Sequence, residues 1–188
     1  YAYKYDDKLV SVTSNFPNEG NVNYKYGGDG KRRERQAGFD VRWYNWDAGW
    51  NIISEEDYQG TLTMTYINDP QKVIGTVLAD ASGSNPANGT YRYYCQDNVG
   101  STRRLRAQDK SSLGVYEYAP YGLMYSESGA AIRYKYTGKE WDSTAQLYYF
   151  PYRYYAPGLA RWMTRDPVRN GSPYGYAKSG PLVYVDPL

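Results

Sequence analysis

Apolar and polar residues alternate with a period of two along most of the chain. Tyr1, Tyr3 and Tyr5 fall on one face and Ala2 and Lys4 on the other, and Asp6-Asp7-Lys8 then reads as a turn before Leu9-Val-Ser-Val-Thr13. Alternation of this kind, broken by Asp and Gly, is the sequence form of a β-hairpin. The same grammar returns at Val22-Asn-Tyr-Lys-Tyr26, a Gly27-Gly28-Asp29-Gly30 turn and a strand from Lys31 to Gln36. It returns again at Val41-Arg-Trp-Tyr-Asn-Trp46, an Asp47-Ala48-Gly49 turn and a strand from Trp50 to Ser54. These copies lie about twenty residues apart, so an internal repeat is the economical reading.

Further on, Leu62, Met64 and Tyr66 oppose Thr61, Thr63 and Thr65, which predicts a strand with one threonine face toward water, closed by Asn68-Asp-Pro70. After a strand from Val73 to Leu78, the run from Asp80 to Thr90 is the most loop-like of the chain and reads as an exposed insertion or the tip of a long hairpin. Strand grammar resumes at Thr90. The pattern predicts about ten to fourteen short strands, with helix limited to a turn around Lys139 to Ser143 or Gly158 to Met163. The fold class is all-β, built from hairpin repeats.

Composition changes the picture in one respect. Of 188 residues 25 are tyrosine and only 3 phenylalanine, and 17 of the tyrosines follow residue 90. The core must therefore be built from rings that carry a hydroxyl, and the second half is the more densely aromatic.

Charge adds little: 22 basic against 20 acidic residues leave a net +2. The basic clusters Lys31-Arg-Arg-Glu-Arg35 and Arg103-Arg-Leu-Arg106 read as solvated strand ends rather than a phosphate-binding surface, so no nucleic acid is expected as a partner. With no histidine and a lone Cys95, histidine triads, histidine or cysteine-rich metal sites and an internal disulfide are excluded. No cofactor or metal is expected. Gly27-Gly-Asp-Gly30 leads into a basic strand rather than a helix and is a turn, not a phosphate cradle. No apolar run approaches the length of a membrane span, and the ends of the sequence, Tyr1 in mid-pattern and Leu188 after Asp-Pro, read as those of an excised piece. Asn88-Gly-Thr90 and Asn170-Gly-Ser172 match the N-glycosylation acceptor pattern, although Asn-Gly is equally a tight-turn pair.

One constellation carries candidate chemistry: Arg165-Asp166-Pro167 with Asp186-Pro187. Two carboxylates brought together in a dry pocket do not both ionise cheaply, so one serves as an acid while the other takes a proton from water. An arginine beside them keeps the ionised partner charged. The same residues are open to a plainer reading, in which Asp-Pro starts turns and an arginine-carboxylate bridge pins the C-terminal segment.

The second half resembles the Rhs repeat-associated core. The resemblance rests on Tyr136-Thr-Gly-Lys-Glu-Trp-Asp142, Leu147-Tyr-Tyr-Phe-Pro-Tyr-Arg-Tyr-Tyr155, Gly158-Leu-Ala-Arg-Trp-Met-Thr-Arg-Asp-Pro167 and Tyr174-Gly-Tyr-Ala-Lys-Ser-Gly-Pro-Leu-Val-Tyr-Val-Asp-Pro187. The first half is similar to the tyrosine-aspartate (YD) repeat, best at Tyr3-Lys-Tyr-Asp6. Residues 1–90 are then degenerate YD-type hairpins and 91–188 the core region, in one continuous β body. Cys95 stands where the family commonly has histidine, and Ala119 and Ala156 where it has aspartate.

The resemblance implies a curved, spiralling β-sheet or shell with a C-terminal plug, enclosing a toxin or effector polypeptide. It also implies a self-cleaving, aspartyl-protease-like site at Arg165, Asp166 and Asp186; any enzymatic activity is at most this autoproteolysis. The expected partners are the remainder of its own precursor or other copies of itself, together with the enclosed toxin polypeptide, in a secreted or cell-surface setting. Two alternatives stay open: a subunit of a secreted or surface fibre that stacks open sheet edges, and a carbohydrate-binding adhesin.

Overall fold

One five-residue turn, used again and again, organises the strands. In the computed structural model, which describes residues 1–4, 6–13, 20–69, 77–83, 89–166 and 172–184, the first residue of each such turn donates its backbone N–H to the carbonyl of the fifth. This happens at Lys4–Lys8, Gly27–Lys31, Asp47–Asn51, Asp57–Thr61, Asp97–Ser101, Ala107–Ser111, Ala119–Leu123 and Lys135–Lys139. The fourth residue always has positive φ: Asp7, Gly30, Trp50, Gly60, Gly100, Lys110, Gly122 and Gly138. A turn followed by a left-handed residue matches the right-handed twist of the flanking strands, which is why the same device serves so many hairpins.

The degeneracy of the repeats has a physical account here. Where aspartate occupies the first turn position, as at Asp47, Asp57 and Asp97, its Oδ1 accepts the N–H of Asn51, Thr61 and Ser101 at 2.8–2.9 Å. Where it occupies the third, as at Asp6, Asp29 and Asp109, Oδ1 accepts from Lys8, Lys31 and Ser111 at 3.4, 3.2 and 2.9 Å. Both placements cap the N–H of the same fifth residue, so the aspartate moves along the turn without loss of the motif.

The chain forms two compact units. The first, Tyr1–Tyr91 with Ser143–Ala145, contains β1 (Ala2–Tyr3), β2 (Leu9–Val12), β3 (Val22–Tyr26), β4 (Arg32–Ala37), β5 (Asp40–Trp46), β6 (Ile52–Glu56), β7 (Leu62–Asn68) and β8 (Val77–Ser82), each antiparallel to the next. One face buries Val22, Tyr24, Tyr44, Ile52, Tyr66 and Val77. The other carries polar pairs such as Lys25 with Glu34 and Asn45 with Glu56.

The first basic cluster is not a solvated strand end. A register shift between Lys25 and Tyr26 adds a residue to β4, so that Arg32 and Arg35, three apart, are both buried. Arg32 lies 4.5 Å from the Tyr44 ring centroid and 5.5 Å from that of Tyr24. Arg35 pairs with Asp40 at 3.0 Å, and buried Lys31 donates to the Asp47 carbonyl at 2.6 Å. The tyrosine faces accept Arg32, a use of ring electrons that a hydropathy pattern does not register.

The second unit, Arg92–Asp142 with Gln146–Leu188, carries the ladder β9 (Tyr91–Gln96), β10 (Thr102–Ala107), β11 (Ser112–Tyr118) and β12 (Met124–Gly129). It also carries a separate four-stranded sheet of β13 (Glu140–Asp142), β14 (Leu147–Tyr149), β15 (Tyr154–Ala156) and β16 (Arg161–Trp162). The described strands number sixteen rather than ten to fourteen. Helix among the described residues is confined to two 3-10 turns, Tyr136–Gly138 and Ala177–Ser179. The expected helical turn at Lys139 to Ser143 is instead strand β13, and the stretch from Gly158 to Met163 turns into strand β16.

Between these elements sits an aromatic core of Tyr136, Tyr148, Phe150, Tyr155, Trp162 and Tyr176. Three of its hydroxyls donate to three successive carbonyls of the Ala119–Leu123 turn: Tyr136 to Pro120 at 2.8 Å, Tyr155 to Tyr121 at 2.9 Å and Tyr148 to Gly122 at 3.0 Å. A Cβ at Gly122 would come within 2.4 Å of the Tyr136 ring, whereas one at Gly60, in an equivalent turn with φ +77, would meet nothing within 4 Å. Gly60→Ala should therefore cost about 1 kcal/mol, the strain of a left-handed alanine. Gly122→Ala adds steric overlap in a packed core, for a total of about 3 kcal/mol. Thermal or denaturant unfolding of the two variants measures the difference, and equal losses would remove the docked turn from the account of stability.

Candidate functional site

The described residues converge on chemistry where β15, β16 and the segment after Ser172 meet. The run from Tyr148 to Tyr155 is aromatic apart from Pro151 and Arg153. The Phe150 N–H bonds to the Arg153 carbonyl at 2.9 Å, which closes the turn between β14 and β15 and holds Arg153 at its exit. The returning chain then fixes the other side: the Trp162 N–H donates to the Tyr174 carbonyl at 3.0 Å and the Asp166 N–H to the Pro173 carbonyl at 2.8 Å. An isolated bridge joins Arg161 and Gly175.

These backbone contacts bring Arg153 Nη1 to 2.9 Å from Asp166 Oδ2. The Arg153 side chain is 6% exposed and that of Asp166 is 25% exposed, so the guanidinium is sealed while the carboxylate keeps access to solvent. The guanidinium carbon stands 4.0 Å from the centroid of the Trp162 ring. A buried arginine paired at one end and stacked on an indole is a fixed charge, and removing its carboxylate would leave that charge stranded.

Of the site residues named from sequence, Asp166 lies at this centre. Arg165 does not take the expected place: it is exposed and makes no hydrogen bond or ion pair among the described residues. The cation that meets Asp166 comes from a different hairpin. Asp186, Asn88 and Asn170 lie outside the described residues. Sequence reasoning missed Arg153, although one signal was present: it is the lone charge in an aromatic run, and a charge placed there needs a partner.

The surrounding tyrosines are held neutral. Burial pushes Tyr136 up to about 12. Burial likewise raises Tyr118, Tyr148 and Tyr155. A phenol whose pKa is higher folded than unfolded contributes stability that is complete below its unfolded value of 10.0 and is lost as pH rises through the folded value. The second unit should accordingly hold to about pH 10 and lose stability from there to about pH 12. Absorbance at the phenolate band during alkaline titration should show these tyrosines ionising together with loss of near-ultraviolet circular dichroism. Smooth ionisation with the fold intact would contradict it.

No protein-family model matches the chain. Among characterised proteins it is similar to salivary gland surface protein 1 of Aedes aegypti, with 37% identity over 159 residues covering 78% of this chain and 4% of the mosquito protein. It is also similar to the tRNA3(Ser)-specific nuclease WapA of Bacillus spizizenii, with 26% identity over 201 aligned residues covering 100% of this chain and 8% of the nuclease. Toxin subunits of Yersinia entomophaga and a toxin protein of Pseudomonas aeruginosa are further relatives. In fold it matches the Tc holotoxin pore of Photorhabdus luminescens with a TM-score of 0.73, at 20% identity, over 99% of this chain and 10% of the solved one. The chain thus spans a small fraction, between 4% and 11%, of these proteins.

Proposed function

We propose, from the premise that this chain is a homologue of the Rhs-type toxin proteins, that it is a length of β wall from a much longer polypeptide and that residues 91–188 are its repeat-associated core. The wall encloses a toxin or effector polypeptide, and its partners are the rest of its own precursor. A secreted or cell-surface setting fits relatives described as toxins and as a surface protein. The tRNA nuclease activity in the name of one relative belongs to that protein, of which this chain covers 8%.

The pairing of buried Arg153 with Asp166 is the observation that carries the finer part of the reading, a self-cleavage site at the end of the wall. In the proposed reaction Asp166, facing the guanidinium, takes a proton from water as the water oxygen bonds to the peptide carbonyl carbon. Asp186 then gives its proton to the departing nitrogen as the C–N bond breaks. Arg153 takes the role that the sequence alone suggested for Arg165.

Cleavage just beyond Leu188 in a precursor extended past that residue is the test. Asp166→Asn or Asp186→Asn should slow cutting by about a hundredfold or more while the precursor stays folded. Arg153→Lys should also slow it, and Arg165→Lys should not. Continued cleavage in both asparagine variants would refute the mechanism. A folded wild-type precursor that is never cut would leave the ion pair as a latch that pins the returning chain.

One observation favours a second reading, assembly between copies: β12 is exposed at five of its six positions and pairs on one side with β11. An unprotected edge of this kind recruits another strand. Light scattering of the isolated chain should then show association, and a monomer of 21.6 kDa stable to dilution removes the idea.

A further inference from the structure

An ion pair sets a distance, but it does not set the plane of a guanidinium. Arg153 reaches Asp166 through Nη1, and a rotation about the side-chain bonds would turn the same charge away from the carboxylate. The guanidinium also lies on Trp162, closer to the ring than Arg32 lies to Tyr44, and that contact constrains its plane. The indole is itself immobilised. It is fully buried, Phe150 meets it edge-on at 4.7 Å and 83°, and Tyr155 and Tyr176, 4.3 Å from each other, each stand 5.5 Å away. Its own backbone is tied to Tyr174, one residue from the Pro173 carbonyl that holds Asp166. The ring under the arginine and the backbone of the aspartate therefore hang on the same returning segment.

We propose that Trp162 is a positioning residue, whose indole face orients Arg153 toward Asp166 and so sets the rate of the reaction at this site. The inference rests on the reading of Arg153 and Asp166 as half of a self-cleavage site. Packing alone would ask only for a large apolar side chain at this position. Orientation of a cation asks for a ring with electron density on its face, and indole supplies more than phenol or benzene.

Two measurements separate the roles. In the extended precursor, cleavage should fall in the order Trp162, Trp162→Tyr, Trp162→Phe, with the phenylalanine variant about tenfold slower. Leu105→Ala, which opens a cavity in β10 outside this aromatic cluster, should lower the melting temperature with little change in rate. Independently of cleavage, the Arg153 Nε–Hε nuclear magnetic resonance signal, assigned by its loss in Arg153→Lys, should be sharp in the native chain and broadened in Trp162→Leu. An unchanged signal in a folded Trp162→Leu chain, or equal cleavage across the aromatic series, overturns the proposal. If Trp162→Leu does not fold, the aromatic series decides. If the signal broadens as expected but no native precursor is ever cut, the self-cleavage reading falls and the placement of Arg153 by Trp162 stands.

Discussion

Burying a ring that carries a hydroxyl is costly unless the hydroxyl finds an acceptor, and three core rings of the second unit find theirs on a single turn. Burying an unpaired hydroxyl costs about 1–3 kcal/mol, so a core made of tyrosine holds together only if carbonyls are brought to it. The Ala119–Leu123 turn does this by presenting Pro120, Tyr121 and Gly122 carbonyls to Tyr136, Tyr155 and Tyr148. Tyr116 likewise donates to the Ala130 carbonyl, and Tyr26 in the first unit to that of Leu9. Each of these bonds ties a ring to backbone at a distance in sequence, so the apolar packing and the chain trace are specified by the same contacts. Phenylalanine would supply the burial without the specification. Phe150 is the described phenylalanine that is buried, and it sits edge-on among rings, where no hydroxyl would be wanted.

The hairpins were legible because their determinants are local. Period-two alternation and the Asp or Gly of each turn lie within ten residues of one another, and the structure keeps them together in one five-residue geometry. What looked like decay of the repeat, a missing glycine at Asp7 or an aspartate displaced to Asp29, is substitution within that geometry. The buried arginines of β4 were not legible. Their place depends on a register shift and on tyrosines contributed by β3 and β5, and a linear reading treats charge as a mark of the surface.

The candidate site was legible by half for the same reason. Asp166 announces itself within an Asp-Pro motif, and the neighbouring Arg165 makes the local guess natural. The cation that meets Asp166 belongs to another hairpin, and only the pairing of β15 with β16 and of residues 161–166 with 173–175 brings it there. Non-local pairing of this kind leaves one weak trace in sequence, a charge within an aromatic run.

The site also shows why a wall segment would carry its chemistry in its most aromatic part. A guanidinium stripped of water is costly unless its charge is answered on every side it presents. Here a carboxylate answers one end and an indole one face, and the indole is wedged among rings that are anchored through their hydroxyls to the turn at 119–123. Loosening that turn would let the rings shift, and the arginine with them. The stability of the unit and the geometry of the Arg153–Asp166 pair are then one property, because the tyrosine-to-carbonyl bonds that hold the core together also hold the indole on which the arginine lies.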